Sequence, residues 1–286
     1  MSGGVSAPRR GAAARGLVLG AACAGGLLGA VDARAQEAMY THAATMPAPG
    51  TIVLREQFHW YEYGTNPASG VDETTRLEAM TSIAYGVDRG WAVYLDVPLT
   101  HTEERDAAGD ESSFGVDDLS VWAKWRVYQR DTGGINTVRA AVFGGVEFAF
   151  EDTFQAHPFV GGVVTMVRGR HGFNQDLIYH LNTDGSAADN YGGEGPDDAL
   201  LFNSAYLYRI FPTRFTADSR GAWYVTAEVN GIYETNGDVE LRWSPGLMYE
   251  GRDFAFELMA QFPLWNELDE RAELDFAVGV GVRFIF

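Results

Sequence analysis

The chain has 286 residues, 46% of them hydrophobic and 13% aromatic, with a formal net charge of −18. Such a polyanion repels nucleic acid, and a single cysteine excludes a disulfide framework or a thiolate metal centre. Mean hydropathy is only −0.14, and after residue 40 no stretch approaches the ~18 consecutive apolar residues of a transmembrane helix; alternating transmembrane strands escape that test.

Residues 1–35 read as a secretory signal peptide. Arg9, Arg10 and Arg15 form a basic region, Gly16 to Val31 an apolar one, and Ala33-Arg34-Ala35 a cleavage site before Gln36. Cys23 follows Gly20-Ala21-Ala22, a poor lipobox, and is expected to leave with the signal. Cleavage removes four arginines and one aspartate, leaving a charge of −21. Residues 36–50 read as a short periplasmic segment, and residues 51–286 as one domain.

From Ile52 onward, segments of about ten residues alternate apolar and polar, separated by turn-rich or acidic stretches. In chain order they are 52–63, 76–87, 91–99, 119–128, 138–150, 159–168, 173–182, 200–210, 223–234, 239–250, 254–265 and 273–286. One parity is nearly free of charge, Glu56 being the main exception, and carries aromatics near the strand ends, such as Trp91, Trp125, Phe150, Trp223, Tyr233, Tyr249 and Phe254. The other carries Glu78, Asp96, Lys124, Arg126, Arg139, Glu147, Glu228, Glu240, Arg242, Glu257, Asp275 and Arg283. A soluble sandwich buries its apolar face and has no use for aromatic belts, whereas a membrane barrel turns apolar residues to lipid and polar ones to its lumen. Strands in lipid cannot leave an edge unpaired, so the sheet must close. The expected fold is all-β, a single antiparallel up-and-down transmembrane barrel of about 12 strands.

Asp88-Arg89-Gly90 and Gly251-Arg252-Asp253 fit periplasmic turns, and His101 to Gly115 and Thr183 to Asp198 fit acidic outer loops. The connection from Phe211 to Ala222 is long for a periplasmic turn. Pro98 and Pro263 fall on the lumen parity near the outer ends of their strands, where they either end the strands or open a side path through the wall.

Phe114-Gly115-Val116-Asp117-Asp118-Leu119-Ser120-Val121-Trp122-Ala123-Lys124-Trp125-Arg126 resembles a recurring feature of one outer-membrane family. So do Tyr85-Gly86 leading to Leu95-Asp96-Val97-Pro98-Leu99, and Ser244-Pro245-Gly246-Leu247-Met248-Tyr249 running on to Gln261-Phe262-Pro263-Leu264. Together these are similar to the transporters named for the meta-cleavage pathway of phenol degradation, although Val116-Asp117 departs from the usual Gly-Asp step. The resemblance implies an outer-membrane barrel for small, often hydrophobic compounds.

Candidate lumen and solute-path residues are Glu78, Tyr94, Asp96, Trp122, Lys124, Arg126, Arg139, Glu147, Glu228, Arg242, Glu257 and Arg283. Their charges fit either a network that fills a narrow barrel or a polar eyelet that selects solutes. Tyr128, Phe143 and Tyr224 are further lumen aromatics on this reading. The six histidines show no ligand spacing, no nucleophile elbow or P-loop is present, and no cofactor is called for. His180 and Ser186 are the pair an outer-membrane lipid hydrolase would need, with nothing in sequence to orient them. The strict alternation from Phe276 to Phe286 makes a closing strand, and Phe284 and Phe286 resemble the terminal signal read by the outer-membrane assembly machinery. Expected partners are therefore that machinery, outer-membrane lipid, lipopolysaccharide and small-molecule solutes. Passive small-molecule passage is the expected function, with a closed structural or surface-interaction barrel as its rival.

Overall fold

The computed structural model describes residues 37–107, 109–149, 154–183, 197–216 and 218–286. Among them run β1 (Ile52–Tyr63), β2 (Glu73–Gly86), β3 (Trp91–Arg105), β4 (Asp110–Val116), β5 (Leu119–Thr132), β6 (Asn136–Ala149) and β7 (Gln155–Arg168). They continue as β8 (His171–His180), β9 (Ala199–Phe211), β10 (Gly221–Glu234), β11 (Val239–Gly251), β12 (Phe254–Glu267) and β13 (Leu274–Ile285). Neighbours pair antiparallel, and β1 closes on β13 from Val53↔Ile285 to Tyr63↔Leu274. The result is a closed barrel of 12 strands plus one extra strand, β4.

The extra strand corrects the expected outer loop from His101 to Gly115. β3 continues to Arg105, and β4 folds back along Leu99–Arg105. β3 pairs with β5 only from Trp91 to Asp96. The partner changes at Pro98, whose carbonyl accepts the Asp117 amide at 3.1 Å. Pro98 therefore lies within β3 and not near its end. Pro263 pairs with Arg242 beside a register shift in β11–β12, where Leu264 is the extra residue.

Alternation sets the two faces. Along β1, Phe58 and Trp60 are about half exposed, whereas Gln57, His59 and Tyr61 are buried. The outward aromatics gather towards the strand ends, as membrane-interface girdles require. Trp91 stacks on Trp125 at 5.5 Å and Tyr249 lies between Trp223 and Phe254 at one end. Towards the other, Trp60 meets Phe276 and Trp243 meets Phe262. Glu56, on the outward parity, accepts a hydrogen bond from the Thr81 hydroxyl at 2.8 Å.

Two parity assignments change. A register shift between Arg126 and Tyr128 in β5 leaves Tyr128 outward and exposed. A second shift, opposite Glu62 and Tyr63, gives the buried place in β13 to Leu274 and leaves Asp275 exposed. One extra residue reverses every side chain beyond it, and no residue type is required to mark the spot.

The segment expected on the periplasmic side is drawn inside. Ala38, Met39, Thr41, Ala43 and Ala44 are buried and hydrogen bond to side chains of β1, β5, β7 and β10. Only a segment within the lumen reaches strands on opposite sides of a closed barrel. It returns beside Gly86, where an added Cβ would lie 2.1 Å from the Ala48 carbonyl oxygen.

Candidate solute site in the barrel lumen

The N-terminal segment is held through its backbone. Glu228, fully buried on β10, accepts the amides of Met39 at 3.0 Å, Tyr40 at 3.2 Å and Thr41 at 2.8 Å, and the Thr41 hydroxyl at 2.6 Å. Successive amides turned to one carboxylate form an anion-binding nest. Asp176 accepts the His42 amide and Thr165 the Ala44 amide, each at 2.8 Å. Cations meet the carbonyls: Lys124 Nζ donates to Ala43 at 2.9 Å and Arg55 to Ala38 at 2.9 Å. Arg283 pairs with Glu37 at 2.9 Å. Gly279, on the closing strand, leaves the room that Met39 takes, since an added Cβ would lie 2.6 Å from its sulfur.

The segment's own ionisable groups feel this surrounding. Burial raises the Glu37 carboxyl, but Lys124, Arg55 and Arg283 outweigh it and hold the group down at about 2. Burial pushes the His42 imidazole down to about 3, Lys124 adding to the effect. His42 is thus neutral, edge-on to Trp122 at 5.4 Å and Phe143 at 5.2 Å.

Against the segment lies a cavity of about 360 Å³. Its apolar wall includes Tyr94, Trp122, Phe159, Ile178 and Leu201. Tyr94 and Trp122, paired across β3 and β5, stack at 3.8 Å and 9°. The packing needs glycine opposite, because a Cβ on Gly145 would lie 2.3 Å from that of Trp122. The Trp122 indole donates to Asp96 at 2.5 Å, and Lys124 lies 4.9 and 5.2 Å from the two ring centroids. On the polar side Arg76 bridges Asp117 at 2.6 Å and Glu78 at 3.2 Å, and Glu78 also meets His59. Glu147 pairs with His180 at 3.4 Å.

Elsewhere the lumen is filled. A ladder of Asp176, Asn203, Asn230, Ser244 and Gln261 links side chain to side chain from β8 to β12. Beyond it, buried Arg271 binds Glu240 at 2.8 Å, Arg242 binds the same carboxylate at 2.6 Å, and the amides of Asp269 and Glu270 donate to Asp238.

Of the residues expected in the lumen, the cavity gathers Glu78, Tyr94, Asp96, Trp122, Glu147 and Arg283. Lys124 and Glu228 hold the N-terminal segment, and Glu257 steadies Arg55 at 2.7 Å. Arg126, Arg139 and Arg242 lie apart from the cavity: the Arg126 amide bonds the turn at Gly90, and Arg139 faces Thr137 and Asp131. Sequence reasoning missed Glu37, Tyr40, Thr41 and His42, which show no periodicity. It also missed Arg76, in the first part of β2, and Asp117, in the short link between β4 and β5. The expected signal peptide, Cys23, Ser186 and most of the Thr183–Asp198 loop lie outside the described residues.

No protein-family model matches the chain, and no curated protein does. Its fold is similar to that of solved bacterial outer-membrane barrels. The COG4313 outer membrane channel from Pseudomonas putida F1 aligns at TM-score 0.56 and 11% identity, over 85% of this chain and 97% of that one. The β domain of the Bordetella autotransporter BrkA aligns at TM-score 0.51 and 11% identity, over 83% of this chain and 100% of that one.

Proposed function

We propose that this protein is an outer-membrane barrel through which small molecules pass passively, with residues 37–46 as a displaceable floor. The observation that carries the reading is the division of labour inside the lumen. One part is filled by side chains of the wall, whereas the cavity rests on a non-regular chain segment held by hydrogen bonds to single side chains. Cleavage after Ala35 would place a free end one residue before Glu37, so the segment could withdraw without threading. Export by that signal, recognition of Phe284 and Phe286 by the assembly machinery and contact with lipopolysaccharide complete the outer-membrane reading. Tyr94, Trp122 and Phe159 suit aromatic or hydrophobic solutes, in keeping with the resemblance to transporters of the phenol meta-pathway; the similarity in fold to the COG4313 outer membrane channel supports a channel and says nothing of the solute.

The test is solute uptake into liposomes carrying the mature protein or a form lacking residues 37–46. Uptake by the mature protein, increased by the deletion, supports the reading. Impermeability of both forms, each shown to be folded by heat-modifiable gel mobility, overturns it in favour of a closed structural or surface-interaction barrel. A lipid hydrolase is disfavoured because His180 stacks on Phe159 at 5.0 Å beside the cavity, away from the lipid face; hydrolysis of a phospholipid substrate would restore that reading.

A further inference from the structure

We propose that the lumen cavity takes small amphipathic organic cations, seating an apolar or aromatic body against Tyr94 and Trp122 and an ammonium group at Asp96. The proposal deepens the passage reading and rests on it for the ligand's onward route.

Six carboxylates line the cavity against three arginines, Arg55, Arg76 and Arg283. Each arginine is already committed: Arg55 to Glu257 at 2.7 Å, Arg76 to Asp117 at 2.6 Å and Arg283 to Glu37 at 2.9 Å. An anionic ligand would have to break one of these pairs, leaving a carboxylate unmatched in a poorly hydrated space. Asp96 is the opposite case. It accepts the Trp122 indole N–H at 2.5 Å and forms no ion pair among the described residues. Lys124, the nearby ammonium, is held back by the Ala43 carbonyl and by the two ring faces. A carboxylate satisfied by neutral donors gains from an arriving cation without displacing one. The body of the ligand has its own partner, since Tyr94, Trp122, Phe159, Ile178 and Leu201 form a continuous apolar side of the same cavity. Aromatic faces there also favour a cation electrostatically. Charge and shape thus select one ligand chemistry.

The seven tryptophans make the test direct. Trp122 is buried in the lumen, whereas Trp60, Trp91, Trp125, Trp223, Trp243 and Trp265 are exposed on the outer face. In brominated detergent the outer six are quenched and Trp122 fluorescence reports ligand. The full mature protein is titrated with 2-phenylethylammonium, 2-phenylethanol and phenylacetate. The ammonium is expected to bind at least about tenfold more tightly than either of the others. Asp96→Asn, which keeps an acceptor for the indole, is expected to bring it level with the alcohol. Equal binding of the three, tighter binding of phenylacetate, or no binding at all overturns the proposal. So does an unchanged ammonium affinity in a folded Asp96→Asn protein. If that variant does not fold, loss of the ammonium's advantage at high salt in the unaltered protein supports the proposal and its persistence opposes it. Uptake of the same compounds separates the two readings. Selective binding without uptake upholds the ligand class and overturns passage; uptake with equal binding does the reverse.

Discussion

At the scale of the residue, Glu228 decides where the N-terminal segment sits. Its carboxylate receives three consecutive amides and one hydroxyl, each a charge-assisted bond in a poorly hydrated surrounding. Glu228→Gln keeps the shape but removes the charge and turns a donor towards N–H groups. We expect it to weaken docking by about 1–3 kcal/mol. Hydrogen exchange at Met39, Tyr40 and Thr41 should accelerate by roughly 5- to 150-fold, and exchange at the unaltered rate would refute the assignment. His42 supplies a signed pH effect. Docked, its pKa is about 3 against an ordinary 6.5, with burial lowering it most, Lys124, Arg55 and His180 adding to that and Glu37 raising it. Below pH 6.5 the released segment binds a proton that the docked one does not. The His42 contribution is therefore complete above that pH and falls by up to about 1.4 kcal/mol per unit below it. Glu37 adds in the same direction only between its ordinary 4.5 and about 2. The comparison that isolates His42 is protease access to the segment at pH 7.5 and 5.0. Access should rise more on acidification in the unaltered protein than in His42→Phe, and identical pH profiles would remove His42 from the account.

At the scale of the element, the closing strand shows why alternation was legible and the lumen segment was not. Phe276 to Phe286 contact two different surroundings, so their residue types must alternate, and β13 pairs with β1 as a closed barrel requires. The last bonds of that seam are backbone ones: the Ile52 amide to the Phe286 carbonyl at 3.1 Å and the Phe286 amide to the Ile52 carbonyl at 2.9 Å. Deleting Phe286 removes both bonds together with an exposed terminal aromatic. We expect slowed or reduced assembly, read as a smaller heat-modifiable fraction in outer-membrane preparations; an unchanged fraction would show that neither matters. β4 escaped notice for the opposite reason. Asp110 to Gly115 are exposed or nearly so along both parities, so no contrast marked a strand. The segment Ala38 to Ala44 is bound through its backbone, which leaves no residue pattern, and its holders Glu228, Asp176 and Lys124 read equally well as filler. Parity placed Tyr94, Asp96 and Trp122 inside. It carries no height along the axis, so it cannot separate lumen residues at the cavity from Arg126, Arg139 and Arg242, which lie apart from it.

At the scale of the molecule, charge follows architecture. The chain carries a formal −18, yet its outward face towards lipid is nearly free of charge, so the excess is concentrated in the lumen and the loops. Around the cavity the three arginines are tied in pairs, and the carboxylates bounding it outnumber them. A narrow path with low-dielectric walls focuses such an excess and concentrates counterions of the opposite sign. The protein lacking residues 37–46 loses Glu37 but keeps the imbalance at the cavity wall. In planar bilayers under a potassium chloride gradient, its reversal potential should therefore fall on the side of potassium preference. The effect must depend on ionic strength, because the screening length shrinks from about 10 Å at 0.1 M to about 3 Å at 1 M. Ions then pass beyond the reach of carboxylates on the wall, and selectivity should decline towards that of free solution. Chloride preference at low salt would contradict the charge placement outright. Potassium preference that survives unchanged at 1 M would mean that ions are selected by contact at a constriction and not by the field of the lumen, which would move the selecting residues away from the cavity wall.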